Sequence, residues 1–255
     1  MEKHWPQTLW IVRHGQSAGN VARDNAEAAG LPLIDIATRD MDTPLSALGE
    51  QQAMALGEWF GSQPADQQPE VILCSPYVRA HDSARLLMKA AGLSEDRVCF
   101  LVDERLREKE FGALDRLTHL GISQKYPELT EQRAHVGKFY FRPPGGESWC
   151  DVILRLRSVV EMVTREHGGQ RVLIMGHQVI VNCMRYLLDQ LDEARVLAMD
   201  RQGDIPNCGV TTYVLDETVK PKGKLVLQVA NFVSPLRRAG APVTVEADVP
   251  AAPKS

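Results

Sequence analysis

The sequence predicts an α/β protein, a three-layer α/β/α sandwich around a mostly parallel central sheet. Two observations carry that prediction. Short apolar runs at residues 9–12, 71–75, 97–102 and 171–175 have the length and branched content of buried strands. Between them lie longer segments with helical periodicity, and strand–helix alternation of this kind builds a parallel sheet with helices on its faces.

The first run, residues 9–12, ends in Arg13-His14-Gly15, and residues 17–29 read as a helix closed by Gly30-Leu31-Pro32. Residues 35–44 are polar loop. A helix opening at Ser46 carries Leu48, Ala55, Leu56, Trp59 and Phe60 on one side. After the strand at 71–75, Ser75 suits a helix cap and Pro76 a first helical position, which predicts a helix over 77–91. The strand at 97–102 leads into the charged stretch DERLREKEFGALD. Residues 117–140 read as short helices broken by Gly121, Pro127 and Gly137. A long amphipathic helix follows over 148–166, with Val152, Leu156, Val159, Val160 and Val163 inward and Gly168-Gly169 as its stop. The strand at 171–175 ends in Gly176-His177, and a helix with Val181, Met184, Leu187 and Leu188 inward comes next. Strands at 210–215 and 224–230, joined by a Pro/Gly/Lys turn, complete the sheet. Residues 1–234 are expected to form one domain with an inserted cap at about 109–147, and residues 235–255 a flexible tail.

With 255 residues, 44% hydrophobic and 24% charged, the chain has an ordinary globular composition. Its net charge of −4 provides no global basic field, so neither nucleic acid nor an anionic membrane is an expected partner. The five cysteines are widely spaced and include no Cys-x-x-Cys, which fits reduced thiols in the cytoplasm better than disulfides or zinc. The first residues, MEKHWPQTLW, lack a signal-peptide core, and no apolar run approaches the ~20 residues of a membrane span. Oligomeric state stays open, a homodimer being one assembly the sequence allows.

The strand ends hold the chemistry. Ligands bind at the carboxyl edge of an open α/β sheet. Two strands end there in a histidine, His14 and His177, and Arg79 follows a third by one helical turn. Gly15 allows a tight turn, and the amides of the next helical turn are positioned to meet an anion. Two guanidiniums and two imidazoles around one point suit a phosphoryl group, which needs fork-shaped donors and charge stabilisation.

The segment RHGQSAGN, residues 13–20, resembles the signature of the histidine phosphatase superfamily, the phosphoglycerate mutase-like proteins. In that family the histidine of Arg-His-Gly is phosphorylated during turnover. SPYVRA matches the family segment bearing a second arginine, hence Arg79; Gly176-His177 matches the second histidine; LREKEFG matches the segment of the proton donor, hence Glu108. LSALGEQQA and PPGGES extend the similarity to about residue 215. The resemblance implies a phosphoglycerate mutase-like fold and a small phosphorylated substrate. It further implies His14 as nucleophile, Glu108 as acid and then base, and Arg13, Arg79 and His177 as holders of the non-bridging oxygens. Asn20, which closes the first motif, is a further donor. No cofactor and no metal are implied.

Mutases of the family that depend on a cofactor carry Gly-Leu-Asn-Lys-Ala-Glu after the glutamate motif and an Arg-Arg pair in the following insertion. Here the corresponding stretches read ALDRLTHLGISQKYPEL and KFYFRPPGGES, which favours hydrolysis of a phosphomonoester over a mutase. A non-catalytic phosphate-binding module is the other alternative. Glu104 and Glu110 compete with Glu108 and read as solvated members of a charge run. His4, His119, His135 and His167 read as surface histidines, and His81 as a residue at the pocket edge or outside it. Lys109, Lys138 and Arg142 read first as surface cations; turned into the pocket, they favour a substrate with a second anionic group.

Overall fold

In the computed structural model, which describes residues 4–219 and 223–245, the apolar runs form the strands the sequence predicts, although the run at 97–102 becomes a largely exposed edge strand rather than a buried one. They are β1 (Thr8–Arg13), β2 (Val71–Cys74), β3 (Cys99–Val102), β4 (Arg171–Gly176), β5 (Val210–Asp216) and β6 (Lys224–Phe232). They lie in one sheet in the order β3-β2-β4-β1-β5-β6. The pairs β3–β2, β2–β4 and β4–β1 are parallel, whereas β5 runs antiparallel to both β1 and β6. The sheet is therefore mostly parallel, with an antiparallel flank.

Alternation along the central strands builds the three layers. Leu9, Ile11, Val172 and Ile174 face α6 (Trp149–Glu166), α7 (Gln178–Leu188) and α8 (Glu193–Gln202). Trp10, Val12, Leu173 and Met175 face the other way, onto α2 (Ala47–Gly61) and α3 (Val78–Ala91). Each such side chain, fully buried, contributes roughly 1.5–3 kcal/mol relative to exposure. Helix α6 begins where the sequence places it, because Ser148 and Asp151 form a reciprocal capping box.

Some expectations change. Ser75 and Pro76 do not start α3: the helix begins at Val78 with Tyr77 as its cap residue. Ser75 instead accepts the Tyr77 N–H at 3.3 Å, which makes residues 75–77 a turn. Helix α8 was not foreseen; its segment EARVLAMDRQ buries Val196 and Asp200 alone, too few apolar positions to show a period. His167 is buried at the end of α6, where Gln170 meets its ring at 2.9 Å, so it is not a surface histidine.

Part of the predicted flexible tail is packed. Helix α9 (Ser234–Arg238) buries Leu236 fully, and Ala241 joins the same core as α2. Gln52 donates to the Pro242 carbonyl at 2.8 Å and to Thr244 at 3.0 Å, and Asn207 donates from its backbone to Thr244 at 3.0 Å. Residues 235–245 are thus packed; 246–255 lie outside the described residues, as do 220–222 of the predicted turn before β6.

The inserted segment carries α4 (His119–Lys125) and α5 (Pro127–Val136) over a small core of its own, Leu114, Leu117, Ile122, Leu129 and Phe141. It docks on the loop after α1 (Ala18–Ala28): Ile34 donates to Arg116, and Thr118 donates to Pro32 from its backbone and to Leu31 from its hydroxyl. Gly121 is required there, since a Cβ would stand 1.9 Å from the Pro32 oxygen.

Candidate active site

Register brings the strand ends together. Arg13 pairs with Gly176 across β1 and β4, so the next residues, His14 and His177, emerge side by side. Their rings meet edge to face with centroids 5.1 Å apart. On the far side of β4, Cys74 pairs with Met175, which sets Ser75 next to His177; its Oγ lies 2.7 Å from His177 Nε2.

His14 is fully buried, and its surroundings fix the tautomer. Nδ1 lies 2.6 Å from the Gly15 carbonyl, an acceptor only, so Nδ1 carries the proton. Nε2 then presents a lone pair, and it accepts the Arg79 Nε–H at 3.2 Å. The His14 backbone is held on both sides: its N–H donates to Gly176 at 2.9 Å, and its carbonyl accepts from Asn207 Nδ2 at 3.1 Å.

Arg13 is also fully buried and donates from a terminal nitrogen to the Ile205 carbonyl at 2.5 Å. The loop at 205–209 holding Arg13 and His14 precedes β5, whose antiparallel run brings its amino end to this edge. Asn207, itself fully buried, had no motif to mark it in the sequence.

Arg79 is 3% exposed, and two of its nitrogens engage Asp40 of the loop before α2: Nη1 donates to the Asp40 carbonyl at 2.6 Å and lies 3.0 Å from its carboxylate, and Nη2 donates to that carboxylate at 3.3 Å. Asp40 is the second residue that sequence reasoning missed, since it sits in a polar loop without pattern. Tyr77 stands 5.0 Å under the Arg79 guanidinium, packs edge to face on His177 at 5.2 Å, and donates its hydroxyl to Glu110 at 2.9 Å. Burial, with the neighbouring Glu110 carboxylate, pushes the Tyr77 phenol well above its ordinary range.

Glu108 is fully buried, while Glu104 and Glu110 are exposed. One Glu108 oxygen accepts the Lys109 N–H at 2.7 Å. Its segment is pinned from α6: Arg155 donates to the Glu108 carbonyl at 3.2 Å and to Glu147 at 3.0 Å, and Glu147 in turn accepts the Glu110 N–H. Glu147 therefore braces the Glu108 loop. Arg142 pairs with Asp151 at the surface and is a surface cation, whereas Lys109 is buried with its Nζ 4.5 Å from the Phe111 centroid and Lys138 is half-buried in a pair with Asp200, so neither lysine is a plain surface cation.

A pocket lined by Ser17, Gly19, Asn20, Asp40, Arg79, Glu108 and Phe111 lies at this edge. Asn20 lines it, but its side-chain oxygen is occupied by the Ser17 amide at 2.9 Å in the capping box of α1. The expected anion cradle of backbone amides is absent: the N–H groups of Gly15, Gln16, Ser17 and Ala18 donate to Ser83, Gln52, Asn20 and Pro44. An anion here meets side chains instead. Gly15 is demanded by close packing, as a Cβ would lie 2.4 Å from the Gly49 oxygen. Among the described residues, no cluster of three His, Cys, Asp or Glu side chains is arranged to hold a metal ion.

The sequence profile of the histidine phosphatase superfamily (branch 1) matches residues 9–227. The chain belongs to that superfamily. It is 31% identical over 200 residues to a 2,3-bisphosphoglycerate-dependent phosphoglycerate mutase 2 of Gloeobacter violaceus, covering 78% of this chain and 83% of the relative. It is 28% identical over 220 residues to a 6-phosphofructo-2-kinase/fructose-2,6-bisphosphatase of Caenorhabditis elegans, covering 83% of this chain but 42% of that longer relative. Among solved structures, a mycobacterial glucosyl-3-phosphoglycerate phosphatase bound to VO3 superposes with a TM-score of 0.67 at 29% identity, covering 88% of this chain and 99% of the other. Superfamily members of both kinds, phosphatases and mutases, act as enzymes on phosphorylated compounds, and the fold here is theirs.

Proposed function

We propose that the chain hydrolyses a small phosphomonoester through a phosphohistidine on His14. The observation that carries the reading is the fixed tautomer of His14. With Nδ1–H tied to Gly15 and Nε2 meeting Arg79 Nε at 3.2 Å, the lone pair faces the group that would hold a phosphate.

In the first half-reaction His14 Nε2 bonds to phosphorus in line as the ester P–O bond breaks. Glu108, in its protonated form, gives its proton to the leaving alcohol oxygen. In the second, water attacks phosphorus, the Glu108 carboxylate takes a water proton, and the P–N bond breaks to release phosphate and neutral His14. Arg13, Arg79 and His177 hold the non-bridging oxygens while charge develops on them. Asn20 is a further donor in the same scheme. Transfer to water rather than to a bound alcohol is supported by the stretch after Glu108, ALDRLTHLG, which lacks the mutase-type segment. The proposal includes a cytoplasmic setting, supported by five free cysteines, the state a reducing compartment maintains. No described helix is long and apolar enough to cross a membrane.

The test is chemical trapping. Wild type incubated with a labelled aryl phosphate in the presence of a chelator is expected to release phosphate and, on quenching, to carry an acid-labile, alkali-stable label. His14→Ala is expected to lose both. Label retained in His14→Ala assigns the nucleophile elsewhere, and transfer to an added alcohol acceptor in preference to water favours the mutase reading.

A further inference from the structure

Tyr77, at the start of α3, touches several parts of the site at once. Its side chain is buried, with the ring 5.0 Å under the Arg79 guanidinium and 5.2 Å from the His177 ring. Its backbone N–H donates to Ser75 Oγ, the same oxygen that lies 2.7 Å from His177 Nε2. Its hydroxyl donates to the Glu110 carboxylate at 2.9 Å. A ring alone would serve the packing on Arg79 and His177; the hydroxyl and its carboxylate partner are what that packing does not require.

Glu110 stands two residues after Glu108. Its N–H donates to the Glu147 carboxylate at 3.0 Å, its carbonyl accepts the Glu147 N–H at 2.9 Å, and Arg155 donates to the Glu108 carbonyl. Those bonds anchor the Glu108 loop to the start of α6, which packs on one face of the sheet. Tyr77 opens α3, which packs on the opposite face. The Tyr77–Glu110 bond therefore ties the loop across the carboxyl edge, from the side that carries Arg79. A phenol donating to a carboxylate makes a charge-assisted bond, roughly twice as strong as a neutral one. Burial and the Glu110 carboxylate both raise the phenol, so the hydroxyl keeps its proton and stays a donor. Placement of this kind matters because a shift of about 1 Å in a reacting group can cost ~100-fold in rate.

We propose that Tyr77 and Glu110 are positioning residues for proton transfer: their hydrogen bond holds the Glu108 loop against the side chains that would hold the phosphate. The proposal rests on the hydrolase reading above, in which Glu108 is the acid, and adds the residues that set where that acid stands.

The test uses Tyr77→Phe, which keeps the ring and removes the hydroxyl. Its first readout is the ratio of kcat on an alkyl phosphate, which needs a proton on the leaving oxygen, to kcat on an aryl phosphate with a good leaving group. Tyr77→Phe and Glu110→Ala are each expected to lower that ratio about tenfold, and the double variant to lower it no further. Glu110→Gln, which keeps an acceptor for the phenol, should retain most of it. A ratio does not depend on the folded fraction of a preparation, so a merely structural loss leaves it where it was. An unchanged ratio in Tyr77→Phe, or losses that multiply in the double variant, overturn the proposal. The second readout is hydrogen exchange over residues 104–112, where the Lys109 and Glu110 amides are both hydrogen-bonded. In Tyr77→Phe exchange there should quicken about fivefold or more, with β1 and β4 unaltered. Exchange unchanged over 104–112 likewise overturns the proposal. Should wild type turn over neither ester, the hydrolase reading falls alone, and exchange then decides whether the Tyr77–Glu110 bond holds the loop.

Discussion

Arg79 Nε donates to His14 Nε2 at 3.2 Å while the same guanidinium grips Asp40, so the ring nitrogen proposed as nucleophile and the guanidinium proposed to hold phosphate are aligned by a single planar group. Lysine has a point charge and no fork. Arg79→Lys is therefore expected to lower kcat/KM on an aryl phosphate by roughly 10²–10³, the loss typical of one oxyanion donor. Steady-state kinetics check this, and a loss under about threefold would show that charge alone suffices.

Asp40 places a carboxylate on the guanidinium that a phosphate would use, 3.0 Å from Nη1. Its side chain is 29% exposed, so the pair is partly screened and worth on the order of 1 kcal/mol. Asp40→Asn should therefore tighten competitive inhibition by inorganic phosphate by about three- to tenfold. Weaker inhibition in that variant would mean instead that Asp40 holds Arg79 in its useful orientation.

Much of this site can be read from the chain because parallel strands end on one edge. The motifs at His14, Arg79 and His177 each follow a buried apolar run, and the pairing of Arg13 with Gly176 and of Cys74 with Met175 does the rest. Glu108 is separated from Glu104 and Glu110 by burial, a distinction that the run DERLREKE does not display. What the sequence hides is support supplied over long separations. Asn207 holds His14 from 193 positions away, Asp40 lies in a loop with no periodicity, and the Ala/Pro/Val stretch after Pro235, among its described residues, buries only Leu236 and Ala241 deeply. Low hydrophobicity there concealed a segment held chiefly by hydrogen bonds.

That segment leads to a third expectation. Thr244 accepts from Gln52 and donates to Asn207 Oδ1 at 2.8 Å, while Gln52 takes the Gln16 amide and Asn207 holds the His14 carbonyl. Thr244→Val keeps the shape and removes the hydroxyl, leaving buried partners unpaired at a cost of roughly 1–3 kcal/mol. Urea unfolding should show that loss, and kcat should fall several-fold with KM little changed. Unaltered stability would show that water replaces the hydroxyl.

Glu108 is fully buried and lines the same pocket as Arg79. Glu108→Gln preserves shape and donates no proton. Turnover of alkyl phosphates should drop by about 10²–10⁴, and that of an aryl phosphate with a good leaving group by much less. An equal loss on both would assign Glu108 to binding rather than to proton transfer.

Lys109 gives a prediction for how stability depends on pH. Burial lowers its ammonium from 10.5 to about 8 in the folded chain. Between those values the unfolded chain binds more protons than the folded one, so this group makes stability rise with pH across that window. Below about 8 the native chain bears the full cost of the buried charge. Lys109→Met, which keeps the stem volume, should therefore be more stable than wild type at pH 7 by about 1–3 kcal/mol. The difference should shrink as pH rises through that window, and above 10.5 wild-type Lys109 becomes neutral in both states. Denaturant unfolding of both proteins at pH 7 and pH 10 measures it as a difference, so other titrating groups cancel. A less stable variant at pH 7 would reveal an anionic partner for the ammonium inside the folded chain.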